Sequence, residues 1–185
     1  MRDHGGGCQG AEEGEAMIET DDLILDKAVF DDWKGMYRNV WSQQESARYM
    51  AWRVTESESD ARIRIRKTID FQKNHDTYVV YEKKSREPVG FAGVEELAPR
   101  IFQEAGICLG PKYVGKGFGK QILAGLIAYC QREFGAEEFI FSAREENAAA
   151  NGLARSLGFK RISSEAKVDV RDGHGYNLVR YGLKL

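Results

Sequence analysis

From residue 17 onward, apolar positions switch repeatedly between the period of strands and the period of helices. "IETDDLILDKA" alternates toward a strand, and "VFDDWKGMYRNVWSQ" places Val29, Trp33, Met36, Tyr37 and Val40 at helical spacing. "ESARYMAW" and "TESESDARIRIRKTIDFQKN" predict a second and a third helix. Thr55 and Glu58 would open the third as a capping box, hydroxyl and carboxylate satisfying the first free N–H groups. "DTYVVYEKKSREPVGFAGVEEL" predicts a hairpin with strands over 77–82 and about 88–97 around a charged turn, and "QEAGICLGP" adds a strand that Gly110-Pro111 stops. The stripe Ile122, Leu123, Leu126, Ile127, Cys130 and Phe134 predicts a long helix in "FGKQILAGLIAYCQREF". "EEFIFSA" reads as a strand. "NAAANGLARSLGF" reads as a helix with Asn147 as N-cap and Gly158 just past its end. "EAKVDVRDGHGYNLVRYGLKL" closes the chain as two strands around a glycine-containing turn.

Helices, a strand meander, strand–helix–strand–helix and a final hairpin predict one domain of α/β (α+β) class around a single mixed sheet. A length of 185 residues, 42% of them hydrophobic, suits one core. Residues 1–16, rich in Gly and Glu, read as a disordered leader, leaving 17–185 as the domain. A formal charge of -2 gives no global pull toward nucleic acid or an anionic membrane. No apolar run approaches a membrane helix, and the N-terminus lacks the apolar segment of a secretion signal, so a cytoplasmic protein is expected. Cys8, Cys108 and Cys130 read as structural thiols, and His4, His75 and His174 make no metal-ligand spacing, so no metal is expected.

The chemistry concentrates in "GPKYVGKGFGKQIL", where glycines and lysines give way to the long helix. As a nucleotide P-loop it fails at Gly117, where the hydroxyl that would hold Mg²⁺ should stand. As a dinucleotide fingerprint it fails at Lys120, in the place of the third glycine. A strand running through a glycine turn directly into a helix can instead hold a pyrophosphate on backbone N–H groups and the helix dipole. Lys116 and Lys120 would add charge, and no metal is needed.

"LGPKYVGKGFGKQIL" followed by "REENAAANGLARSLGF" resembles motifs A and B of the GCN5-related N-acetyltransferases (GNATs), most closely the branch that includes the ribosomal-protein alanine acetyltransferases. The resemblance spans roughly residues 20–185. The family loop Q/R-x-x-G-x-G/A is matched from Val114 through Gly115, Lys116, Gly117, Phe118 and Gly119, with only the leading Gln or Arg replaced. It implies a mostly antiparallel sheet flanked by helices, with strands splayed at an acetyl-CoA site. It also implies an N-acetyltransferase that moves an acetyl group to a primary amine, of a small molecule or a peptide N-terminus, by direct attack. Backbone amides of residues 115–120 would cradle the CoA pyrophosphate, and Ile107 and Leu109 would pair with pantetheine as an added strand. Asn147 would bond a pantetheine amide, while Asn151 and Arg155 would reach the cofactor. Asn147 also reads as a plain helix cap, and Arg155 as a solvated surface residue.

Direct attack needs a base for the ammonium proton and an acid for the leaving thiolate. The family's motif B tyrosine is replaced by Ala154, and the glutamate that some ribosomal-protein acetyltransferases carry on the preceding strand is replaced by Ser142. Glu95 and Glu96 stand as substitute candidates, with Glu104 behind them; strand-end solvation is the plain alternative for the first two. Cys108 lacks a histidine that would activate it. Trp33, Tyr37, Trp41, Tyr49, Met50, Trp52 and Tyr176 offer walls for the acceptor, several of them also core. The missing tyrosine and glutamate leave a second reading, an acyl-CoA-binding regulatory module that is catalytically weak or inactive. The resemblance allows a homodimer through an edge strand, but no residue demands one.

Overall fold

The computed structural model describes residues 17–185; the expected leader, 1–16, lies outside the described residues. Among the described residues eight strands form one sheet in the order β1-β2-β3-β4-β5-β6-β8-β7. They are β1 (Ile18–Glu19), β2 (Leu23–Asp26), β3 (Thr77–Glu82), β4 (Pro88–Ala98), β5 (Ile101–Leu109), β6 (Glu138–Arg144), β7 (Lys160–Val168) and β8 (Gly175–Lys184). Every neighbouring pair is antiparallel except β5 and β6. That parallel pair requires a crossover, supplied by α4 (Phe118–Phe134). The mixed, mostly antiparallel sheet expected from the sequence is the one observed.

Helices cover both faces. On one face, Ile122, Leu123 and Leu126 of α4 are fully buried against the sheet, with Ala154 of α5 (Ala148–Ser156) beside them. Burial of each of the three large aliphatic side chains contributes about 1.5–3 kcal/mol. The other face carries α1 (Asp32–Met36), α2 (Gln44–Ala47) and α3 (Glu58–Gln72), where Met36, Val40, Trp41, Ala61 and Ile65 close over Val79 and Cys108. Among the described residues no helix is long and apolar enough to cross a membrane.

Three local expectations change. The first strand is two short ones, because Thr20 turns the chain, its N–H donating to the Leu23 carbonyl at 2.9 Å. The first helix passes into a π turn over Tyr37–Trp41, closed by Ser42 N–H to the Tyr37 carbonyl at 3.1 Å; the wider turn buries both Val40 and Trp41. α3 is capped by Ser57, whose hydroxyl accepts from Asp60 N–H at 3.1 Å. Thr55 does not cap it; its hydroxyl accepts instead from the Arg64 guanidinium at 3.0 Å.

Candidate active site

The sheet opens between β5 and β6. Their parallel register covers only Ile101↔Glu138, Phe102↔Phe139 and Gln103↔Ile140, after which the strands part. The cause is a bulge. On the other edge of β5, Ala92 pairs with Ile107 and Val94 with Glu104, so Ala105 and Gly106 face the single residue Gly93. Gly106 takes φ +97°, a conformation that disfavours a side chain. From Glu104 to Leu109, β5 keeps β4 on one edge and has no strand on the other among the described residues. Ile107 and Leu109 lie on that unpaired stretch.

Glu104 bridges the gap. One carboxylate oxygen accepts from Gly106 N–H at 2.7 Å and the other from Ser142 N–H, across on β6, at 3.2 Å. Burial drives its pKa up to about 7, against the two N–H bonds that favour the anion, and the nearby charge of Glu95 adds to the rise. A carboxyl that titrates near neutrality in a cleft is suited to accept a proton and give it up again.

The opening is a cavity of about 320 Å³, walled by Glu104, Gly106 and Ile107 of β5, Ser142 and Ala143 of β6, and Asn147, Ala150 and Leu153 around α5. Tyr49, Met50, Tyr176 and Leu178 complete it. In the glycine turn before α4, Gly115 and Gly117 have φ of +80° and +79°. Gly117 is the N-terminal residue flanking α4 and offers no side-chain cap. No protein acceptor meets the backbone N–H groups of residues 115–120 among the described residues, and the first bond into the helix runs from Gln121 N–H to the Gly117 carbonyl. Val114, Lys116 and Lys120 are exposed around this turn, with the Lys116 ammonium 5.1 Å from the Tyr113 ring centroid. Gly119 opens onto Leu153 of α5.

A buried ion pair fixes the far wall. Arg144, at the end of β6, donates to Asp169 at 2.6 Å and lies 3.9 Å over the Tyr176 ring. Asp169 also accepts from Arg171, whose guanidinium reaches the carbonyls of Ala47, Arg48 and Trp52 at 2.7, 3.2 and 3.4 Å. The β7–β8 turn is thereby strapped to the segment carrying Tyr49 and Met50. The hydrogen bonds of Arg171 and Arg144 hold the Asp169 carboxyl well below the usual carboxylate range. A depressed pKa stabilises the fold above the ordinary carboxylate range and loses that effect as pH falls below it. Asp169→Asn is therefore expected to lower Tm at neutral pH, and the gap to the wild type should close as pH falls below about 4. Thermal unfolding followed across pH checks this; a gap that does not vary with pH would refute it.

The profile of the acetyltransferase (GNAT) domain family matches residues 22–160. The chain belongs to that family. A GNAT acetyltransferase from Bacillus anthracis superposes with a TM-score of 0.78 at 18% identity, covering 91% of this chain and 98% of that one. The Salmonella typhimurium acetyl transferase that modifies the N-terminal serine of a 50S ribosomal subunit protein gives 0.75 at 18%, covering 92% and 99%. The microcin C7 self-immunity acetyltransferase, solved with acetyl-CoA and AMP, gives 0.74 at 19%, covering 90% and 94%. At these identities the likeness is one of fold. An uncharacterized protein of Mycobacterium leprae is 30% identical over 95 residues, and the chain spans 25% of that relative's length.

Within the GNAT frame, several sequence expectations shift. Glu95 and Glu96 are exposed at the end of β4, outside the lining of the cavity. Glu95 accepts from the Gln103 side chain and Glu96 from Arg100 N–H at 3.1 Å, whereas Glu104, ranked behind them, stands inside. Asn151 does not face the opening. It is buried, its amide donating to the carbonyls of Asn147 and Arg144 at 2.7 and 2.9 Å and its oxygen accepting from Tyr181 at 2.6 Å, so it braces the start of α5. Arg155 is exposed and away from the cavity. Ala154 is wholly buried in the core and does not line the opening. Ser142 lines the opening and contributes its N–H to Glu104. Asn147 does two things at once, capping α5 by accepting from Ala150 N–H at 3.1 Å and lining the cavity.

Proposed function

We propose that the chain is an N-acetyltransferase that moves acetyl from acetyl-CoA to a primary amine by direct attack, with Glu104 as general base. The observation that carries this reading is the Glu104 carboxylate set across the parting of β5 and β6, with its pKa raised to about 7. The N–H groups of residues 115–120 would hold the pyrophosphate, helped by Lys116 and Lys120, and the free edge at Ile107 and Leu109 would take the pantetheine amides. Asn147 keeps its amide group available for the same arm. In the step itself, the amine nitrogen bonds to the acetyl carbon, the carbon–sulfur bond breaks, and Glu104 takes the ammonium proton directly or through water. Tyr49 and Tyr176 are the phenols in the opening from which the leaving thiolate can draw a proton.

The reading as a module without catalysis drew on the two absent groups, and Glu104 supplies a carboxylate where a base is needed. Cys108, pushed up to about 12 by burial, is protonated and inert, which disfavours covalent acyl transfer through it. The acceptor is a small amine or a peptide N-terminus, the latter being what the Salmonella neighbour modifies. A second copy has an edge to pair with in β7, nearly all of whose residues are exposed. The test is acetyl-CoA titration by calorimetry without Mg²⁺, followed by thiol release with a panel of amines. Micromolar binding and amine-dependent release are expected; a wild-type protein that does not bind acetyl-CoA would overturn the reading.

A further inference from the structure

A second cavity of about 430 Å³ lies between α3 and the sheet, lined by Met36, Trp41, Trp52, Phe91 and Ala105. The two openings are neighbours. Ala105 follows Glu104 directly in β5, and a Cβ placed on Gly106 would lie 3.6 Å from Phe91 and 3.7 Å from Met50, side chains that line the one cavity and the other.

The charges in this cavity are of one sign. Arg64 and Lys67 line it, and no carboxylate of the described residues does. Arg64 stands 4.6 Å from the Trp41 ring centroid and 4.5 Å from that of Trp52. Among the described residues its guanidinium has one hydrogen bond, to the Thr55 hydroxyl, and no carboxylate lies within ion-pair distance. Partial burial lowers its pKa to about 10. A guanidinium has five N–H donors in a planar fork, so four remain for a planar anion. Beside it, the Trp52 indole N–H is buried without an acceptor among the described residues. Unsatisfied buried donors are uncommon, and one beside an unpaired guanidinium, in a cavity with aromatic walls, describes a place suited to an anion on an apolar body.

We propose that this cavity receives the acceptor, an amine that also bears a carboxylate on an aromatic or apolar body, with Arg64 and Lys67 holding the carboxylate while the amine reaches Glu104. The role of the amine rests on the acetyltransferase reading above; the anion site does not. Polyamines and other polycations are rejected by the same two side chains.

The test compares hydrocinnamate with hydrocinnamyl alcohol, which share a body and differ in the anion, by tryptophan fluorescence and calorimetry without acetyl-CoA. Hydrocinnamate is expected to bind at least about tenfold more tightly, the worth of a charge-assisted hydrogen bond pair. Arg64→Gln should erase the difference and Lys67→Gln, at an exposed position, should reduce it. Equal affinities, binding of neither probe, or a difference that survives Arg64→Gln would overturn the proposal. The wild-type comparison stands even where Arg64→Gln fails to fold. Acetyl-CoA titration of the same samples separates the two readings. Acetyl-CoA binding with no difference between the probes sinks the anion site alone, and a difference between the probes without acetyl-CoA binding sinks the transferase alone.

Discussion

Glu104→Gln is expected to lower kcat by about 10²–10⁴-fold while acetyl-CoA binding stays close to that of the wild type. The amide cannot take the ammonium proton, yet it keeps one oxygen for the N–H of Gly106 or Ser142, so the bulge retains a tie across the gap. Wild-type kcat/KM should rise with pH through about 7 as the carboxyl ionises, and this limb should vanish in the variant. Stability runs the other way. A carboxyl whose pKa is raised on folding favours the fold below its unfolded value, near 4.3, and loses that contribution as pH climbs through about 7. The wild type should therefore lose stability between those values, and the variant should not. Glu95→Gln and Glu96→Gln serve as controls, expected to change kcat by less than about threefold because both side chains are exposed. A Glu104→Gln enzyme with near-normal kcat and an unaltered pH profile would remove Glu104 from the mechanism.

The contrast between Glu95 and Glu104 shows where the sequence stops speaking. In "FQEAGICL", Glu104 is one polar residue in a strand, and nothing local announces that Ala105 and Gly106 share a single partner across β4. The bulge is a property of two strands, and the bond from Ser142 joins residues distant in sequence. Arg64 is similar. In "ARIRIRK" it looks like one charge of a solvated helix face, and only Trp41 and Trp52, from a separate segment, enclose it. By contrast α4 and α5 follow from periodicity, because one face of each meets the core and the pattern is local, and β3 follows from a short apolar run buried on both faces. The glycine turn was legible for the same reason: positive φ at Gly115 and Gly117 is a demand of the turn itself. Asn147 and Asn151 sit one helical turn apart and look equivalent in sequence. They part because Asn147 is the first residue of the cap and half-exposed, while Asn151 points inward to Tyr181. The second helix, expected over "ESARYMAW", is the shorter α2 at Gln44–Ala47, because four helical residues carry too little periodicity to mark their ends.

Gly117→Glu is expected to weaken acetyl-CoA binding by at least about a hundredfold, since a like charge set against a bound anion costs several kcal/mol. Gly117 flanks the free end of α4, and among the described residues nothing lies within 4 Å of where its Cβ would be, so the new side chain meets none of their atoms at its root. The left-handed backbone there costs a non-glycine residue about 1–2 kcal/mol. A carboxylate at a helix N-terminus returns about 0.3–1 kcal/mol through the dipole, so Tm should fall only slightly. The same dipole and the same free N–H groups that welcome the carboxylate are those proposed to hold the pyrophosphate, so the substitution places a competitor in the site without dismantling the fold. Gly117→Ala separates the two contributions. It carries the backbone strain without the charge, and should weaken binding by no more than about tenfold. Calorimetry of both variants with acetyl-CoA, in the absence of Mg²⁺, decides the matter. A Glu variant no weaker than the Ala variant would mean that no anion lies at this helix end, and the pyrophosphate would have to be sought elsewhere on the protein.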